Sequence, residues 1–170
     1  MVFKSTDEDR IDYGFLRDGA VNLYFRKHLF EKAISELEKL GYKVFRIRFE
    51  SFQQFRSELS DVLSWELQFG YKHWDGNLDT LNDGLRNVSF IFDKDSVLCI
   101  EDFHVFSKLD DHSATELLDI LERASRDCLM FGKRFFSLVQ TDDPHFSREN
   151  LGGNATKWND AEWLDSARGL

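Results

Sequence analysis

Four consecutive apolar residues, Val97-Leu98-Cys99-Ile100, constrain this chain more than any other stretch. A strand with one wet face alternates apolar and polar residues, whereas an unbroken apolar run suits an interior strand covered on both faces, as in a parallel sheet between helices. The neighbouring segments agree. Val44-Phe45-Arg46-Ile47-Arg48-Phe49 alternates, with Phe45, Ile47 and Phe49 on one side, and Arg134-Phe135-Phe136-Ser137-Leu138-Val139-Gln140 reads as a further strand, ended by Thr141-Asp142-Asp143-Pro144. Helical periods lie between and before them. Phe30, Ala33, Ile34, Leu37 and Leu40 predict a helix from about His28 to Leu40, stopped at Gly41. Ser51 and Gln54 read as a capping box for a helix running to about Phe69, and Ser113 with Glu116 as a second box for a helix closed at Gly132. Parallel strands need crossovers of about a dozen residues or more, and each interval holds a helix of that size. The expected class is α/β.

The two ends read differently. Tyr13-Gly14-Phe15-Leu16 and Val21-Asn22-Leu23-Tyr24-Phe25 flank the turn-like Arg17-Asp18-Gly19-Ala20, which predicts a small hairpin. After Pro144 the composition turns polar. Asn159 is expected to cap a short helix containing Trp163 and Leu164, and the bulk of Trp158 and Trp163 to fold this segment back over the core. With 170 residues the chain has the size of one domain: residues 43–141 form its core, residues 1–42 an N-terminal extension and residues 142–170 a C-terminal one.

Charge narrows the function. The 31 acidic and 22 basic residues leave a net charge of −9, which argues against direct nucleic-acid binding and toward a cationic partner. Cys99 and Cys128 fall on apolar faces, as buried free thiols of a reducing cytoplasm do. The N-terminal MVFKSTDEDRIDYG carries acids where a signal peptide needs a basic and then an apolar stretch, and no apolar run approaches a membrane span, so a cytoplasmic protein without membrane contact is expected. Glu101-Asp102-Phe103-His104, at the end of a strand, invites an enzyme reading. One acid pair and one His, without a third ligand or a Gly-rich phosphate loop, fall short of a metal or catalytic signature, so no cofactor, metal or catalytic residue is expected.

The stretch that carries chemistry is Trp74-Asp75-Gly76-Asn77-Leu78-Asp79-Thr80-Leu81-Asn82-Asp83-Gly84-Leu85-Arg86. Asp75-Gly76 reads as a turn and Asn77 as the N-cap of a helix. Leu78, Leu81 and Leu85 form its buried stripe, leaving Asp79, Asn82, Asp83 and Arg86 on the other side. Asp79 suits the positive end of the helix dipole. Asp83 does not, since two carboxylates at i and i+4 cost a helix about 0.2–0.5 kcal/mol and no Lys or Arg occurs from His73 to Leu85. Such a pair is either a solvated acidic face or a preformed anion-mimicking surface. Trp74, in the aromatic loop with Tyr71 and His73, is either an interface anchor or a cap on the core.

This stretch resembles the inhibitory segment of the barstar family, most closely at Leu81-Asn82-Asp83-(x)-Leu85. The order strand, helix, aromatic loop, short acidic helix, strand, helix, strand over residues 43–141 is similar to the barstar fold, in which three parallel strands pack with helices. The resemblance implies a bacterial inhibitor or immunity protein, monomeric when free and without catalysis of its own. Its acidic loop and helix would plug the active site of a basic ribonuclease or toxin nuclease. Carried over by position, Asp79 and Asp83 match the family's inhibitory aspartates and Asn77 the cap before them. The implied contact surface is His73, Trp74, Asp75, Gly76, Asn77, Asp79, Asn82, Asp83 and Arg86, with Arg123 from the last long helix. The chain departs from the family's founding member at His73-Trp74-Asp75 and at Asn82, where that member has a Trp, and from the family at Arg123, which aligns with an acid, and these changes imply a different target. Two other readings stay open: a hydrolase using Asp79 and Asp83 as acid and base, and a regulatory or self-associating module with a non-nuclease partner.

Overall fold

The computed structural model describes residues 2–170. Its sheet is wholly parallel and has five strands, not the expected three: β1 (Val21–Tyr24), β2 (Lys43–Arg48), β3 (Ser96–Glu101), β4 (Phe135–Gln140) and β5 (Lys157–Trp158), in the order β2-β3-β4-β1-β5. β3 and β4 are interior strands, and their side chains alternate between two separate apolar clusters. Leu98, Ile100, Phe135 and Val139 face one cluster; Val97, Cys99, Phe136 and Leu138 face the other. An unbroken apolar run thus supplies two cores at once.

Topology decides which helices cover which face. The step from β1 to β2 crosses the sheet in the opposite sense to the steps from β2 to β3 and from β3 to β4, so right-handed crossovers place their helices on opposite sides. α1 (Ile11–Arg17) and α2 (Lys27–Lys39) cover the first side. The second is covered by α3 (Phe52–Val62), α4 (Trp65–Phe69), α5 (Leu78–Arg86), α6 (Val88–Ile91), α7 (Phe103–Leu109) and α8 (Asp111–Met130). Among the described residues, no helix is long and apolar enough to cross a membrane. Cys99 and Cys128 are free and buried; burial raises both thiol pKa values, that of Cys128 to about 12.

Several local expectations are corrected. The N-terminal hairpin does not form: Ile11–Arg17 is a helix whose Phe15 packs on Phe136, and β1 lies between β4 and β5 with all four residues buried. The helix expected to run to Phe69 breaks at Ser64, whose left-handed backbone (φ 50°) turns Trp65 into the core. The cap of α8 is Asp110 rather than Ser113, since Asp110 accepts from the Ser113 backbone N–H at 3.0 Å and from its hydroxyl at 2.6 Å. Directly after the polar strand end, Asp102 leads into α7, a helix the sequence reading does not anticipate. No helix forms around Trp163, which is exposed; Trp158 lies in β5 and only Asp165–Arg168 makes a short 3-10 turn.

Both extensions are held by buried charge. Glu122 of α8 accepts from the Ala20 backbone N–H and from the Asn154 side chain, both at 2.6 Å, joining the segment before β1 to the C-terminal loop. Glu162 accepts from the backbone N–H groups of Phe25 (2.8 Å) and Arg26 (2.9 Å), where the N-terminus of α2 favours an anion. Arg168 stacks over Trp158 with its guanidinium 4.6 Å from the ring centre, and donates to the Pro144 carbonyl at 2.9 Å.

At the end of the sheet where the parallel strands begin, Asp12 is wholly buried, receiving Arg10 through two hydrogen bonds (3.0 and 2.7 Å) and the Tyr42 hydroxyl at 2.7 Å. Burial alone would raise the Asp12 pKa, but Arg10 and Tyr42 outweigh it and hold it below its ordinary 3.8. The resulting stability is present above pH 3.8 and is lost as pH falls through the lower folded value. Asp12→Asn should therefore cost about 3 kcal/mol near neutral pH, the scale for breaking a buried pair, in urea denaturation. The gap from wild type should narrow as pH falls below 3.8.

Candidate functional site

The loop before α5 is built before anything binds it. The Trp74 backbone N–H donates to Ser60 Oγ of α3 at 2.8 Å, Arg56 Nε donates to the Trp74 carbonyl at 3.1 Å, and the Trp74 indole N–H donates to the Asn77 carbonyl at 2.6 Å. Trp74 is 5% exposed. Of the two readings of this ring, the cap on the core is the one observed: it props the loop from beneath and has little surface to offer a partner. Above it, Asp75 Oδ1 accepts from the Asn77 N–H at 2.9 Å, Gly76 takes φ 98°, and Asn77 Oδ1 accepts from the Thr80 N–H at 3.1 Å as the N-cap of α5. His73, Asp75, Gly76 and Asn77 are exposed along this ridge.

α5 is seated by its apolar stripe. Leu81 and Leu85 are buried and Leu78 packs against the same cluster. Gly84 explains how close the helix comes: a Cβ there would stand 2.6 Å from Cζ3 of Trp65, so only glycine lets the backbone rest on the indole face. Glycine in a helix interior costs about 1 kcal/mol relative to alanine and is a readable sign of close approach. Gln68 fastens the far end, donating to the Leu63 carbonyl at 2.7 Å while its own carbonyl accepts from Asn87 at 3.2 Å. Ser60, Trp65 and Gln68 lie upstream of the stretch they support, and sequence spacing gave no reason to join them to it.

With the helix held this way, Asp79 and Asp83 are exposed on successive turns. Among the described residues neither has a Lys, Arg or His partner within 4 Å. Asn82 and Arg86 occupy the neighbouring stripe, facing α8. They share with Arg123, Arg126 and Asp127 an open groove of about 360 Å³, which neither aspartate lines. Both aspartates are exposed, and the hollow lies beside them. Paired carboxylates do acid and base work when an enclosing site separates their pKa values, and this placement offers no enclosure.

The polar strand end is engaged structurally. The Asp102 carboxylate is held by Lys27 Nζ at 3.1 Å and Arg48 Nε at 2.6 Å, which lower its pKa against the effect of burial. Its N–H donates to Gln140 at 3.0 Å, and His104 Nδ1 accepts from the Asp142 N–H at 3.2 Å. Asp102, His104 and Asp142 could bring ligand atoms within 4.8 Å of one another, but a metal ion there would face two cations already in contact with Asp102.

A family model described as Barstar (barnase inhibitor) matches residues 42–140. The matched segment contains β2, β3, β4 and α5; β1 and β5, the two strands beyond the expected three, lie outside it. No curated protein and no solved structure matches the chain.

The seat of α5 can be measured directly. Gly84→Ala should lower stability by about 1–3 kcal/mol in urea denaturation, because overpacking against a buried ring outweighs the gain in helix propensity. In a Trp65→Phe background the same substitution should cost less, since the clashing half of the indole is gone.

Proposed function

We propose, for a chain that belongs to the barstar (barnase inhibitor) family, that it blocks the active site of a basic ribonuclease or toxin nuclease with the acidic face of α5, as an immunity protein does. Family members are inhibitors of ribonucleases and not enzymes. The observation that carries the reading is the state of Asp79 and Asp83: exposed, one helical turn apart and unpaired, on an element fixed from beneath by Trp65, Trp74 and Ser60.

The mechanism follows from the chemistry of the target. A ribonuclease site gathers Arg, Lys and His to stabilise phosphate charge, so two carboxylates on a rigid helix occupy those groups without offering a bond to cleave. The loop and helix are already ordered, so little conformational entropy is lost on docking. Opposite charge also steers the encounter, an effect for which this family's founding complex is the standard illustration. His73, Asp75, Gly76 and Asn77 would contact the rim of the cleft, and Asn82, Arg86 and Arg123 its flank. The free protein is assigned to the bacterial cytoplasm as a monomer. A self-associating module built on α5 would need an apolar exposed face, and that face carries Asp79, Asp83 and Arg86; the exposed Phe90, Met130 and Phe131 lie outside α5.

Affinity capture from the native host followed by mass spectrometry should recover a nuclease with the wild-type protein. Asp79→Ala and Asp83→Ala should each weaken inhibition of that nuclease by at least about thirtyfold, the scale of an interface hot spot, with thermal unfolding unchanged. Recovery of no nuclease, or equal inhibition by the variants, would defeat the reading. Added salt should slow association more than it speeds dissociation.

A further inference from the structure

The groove beside the acidic pair has the opposite character. Arg86 from α5 and Arg123 and Arg126 from α8 line it together with Asn82 and a single acid, Asp127. Arg123 is tied to Asp119 one turn back at 2.5 Å, while Arg86 and Arg126 have no carboxylate within 4 Å among the described residues. Arg126 is also placed by the chain around it. The guanidinium lies against the turn at Gly152, where a Cβ would stand 2.0 Å from Arg126 Nη2. The Gly152 N–H in turn donates to Asp119 at 2.7 Å, linking that turn to the same face of α8.

We infer that this notch receives a carboxylate side chain, Asp or Glu, of the same nuclease that Asp79 and Asp83 block, an inference that rests on the inhibitor reading. The partner then carries an acid just outside its phosphate-binding cleft. Planar guanidinium groups recognise carboxylates through paired parallel hydrogen bonds, and Asn82 adds an amide at the edge of the same hollow. An RNA strand would suit guanidinium groups equally in isolation, but a polyanion entering here would meet Asp127 inside the groove and the Asp79 and Asp83 stripe next to it, on a chain of net charge −9. A single carboxylate meets three arginines against the one acid, Asp127, and does not cross the Asp79 and Asp83 stripe. The contact surface thus has two signs on adjacent stripes, which sets the docking register and rejects nucleases that present a base at that position.

The test uses the captured nuclease, purified, with Arg86→Glu and Arg126→Glu, both at exposed positions, beside Asp83→Ala. Each Arg→Glu change should weaken binding by at least about tenfold, the Arg→Gln versions by less, and replacing one Asp or Glu of the nuclease with Lys should restore binding of the Arg→Glu variant. If Asp83→Ala abolishes binding while Arg86→Glu and Arg126→Glu bind as wild type does, the notch is refuted and the inhibitor reading stands. If the wild type blocks no nuclease, both fall together. Retention of a short labelled oligouridylate by the wild type at low salt, lost in Arg126→Glu, would also overturn the proposal by showing phosphate as the occupant.

Discussion

The contact between the Gly84 backbone and the face of Trp65 is the constraint on which the rest of the site depends. It brings α5 close enough to the core for Leu81 and Leu85 to be buried, and that burial fixes the rotation of the helix about its own axis. Once the rotation is fixed, Asp79 and Asp83 can only point outward. The break at Ser64 is part of the same device, because a continuous helix through this region would carry Trp65 away from the ring's present position beneath Gly84. A site made of two carboxylates therefore has its foundation in a glycine, an indole and a left-handed serine, none of them charged.

Charge in this protein is divided by depth. Buried carboxylates are satisfied: Asp12 by Arg10 and Tyr42, Glu122 and Glu162 by backbone and amide N–H groups. Asp102, buried just after β3, is held by Lys27 and Arg48. The acids left without a cation on α5 are exposed, where water carries most of the cost. That difference separates stapling from recognition, since an acid whose bonds are all made inside the fold has nothing to offer outside it.

The segments outside the matched core are structural members of the sheet. β1 lies between β4 and β5 and is buried throughout, and the C-terminal residues return to pair with it and to close the N-terminus of α2 through Glu162. The same C-terminal loop, at Gly152, lies against Arg126 of α8 and donates to Asp119 of the same helix. An extension added to the edge of the sheet thereby reaches the flank of the candidate interface.

The order of elements between β2 and β4, the N-cap at Asn77, the leucine stripe and the outward acids were legible in the chain, because each follows from the period of a helix or strand and from contacts a few residues apart. The fate of residues 11–25 was not: Val21-Asn22-Leu23-Tyr24 fits a hairpin as well as a central strand, and only its partner β4, over a hundred residues later, chooses between them. Trp74 was equally undecided, since a ring between His73 and Asp75 can face in or out until Ser60 and the Asn77 carbonyl hold it in. The arginine notch was hidden for the same reason, its members lying on α5 and α8 with a turn of the C-terminal loop behind them. Local periodicity and capping belong to the sequence by itself; pairing partners, the direction of a lone aromatic and the company an arginine keeps belong to tertiary structure, because distant segments supply the energy that decides them.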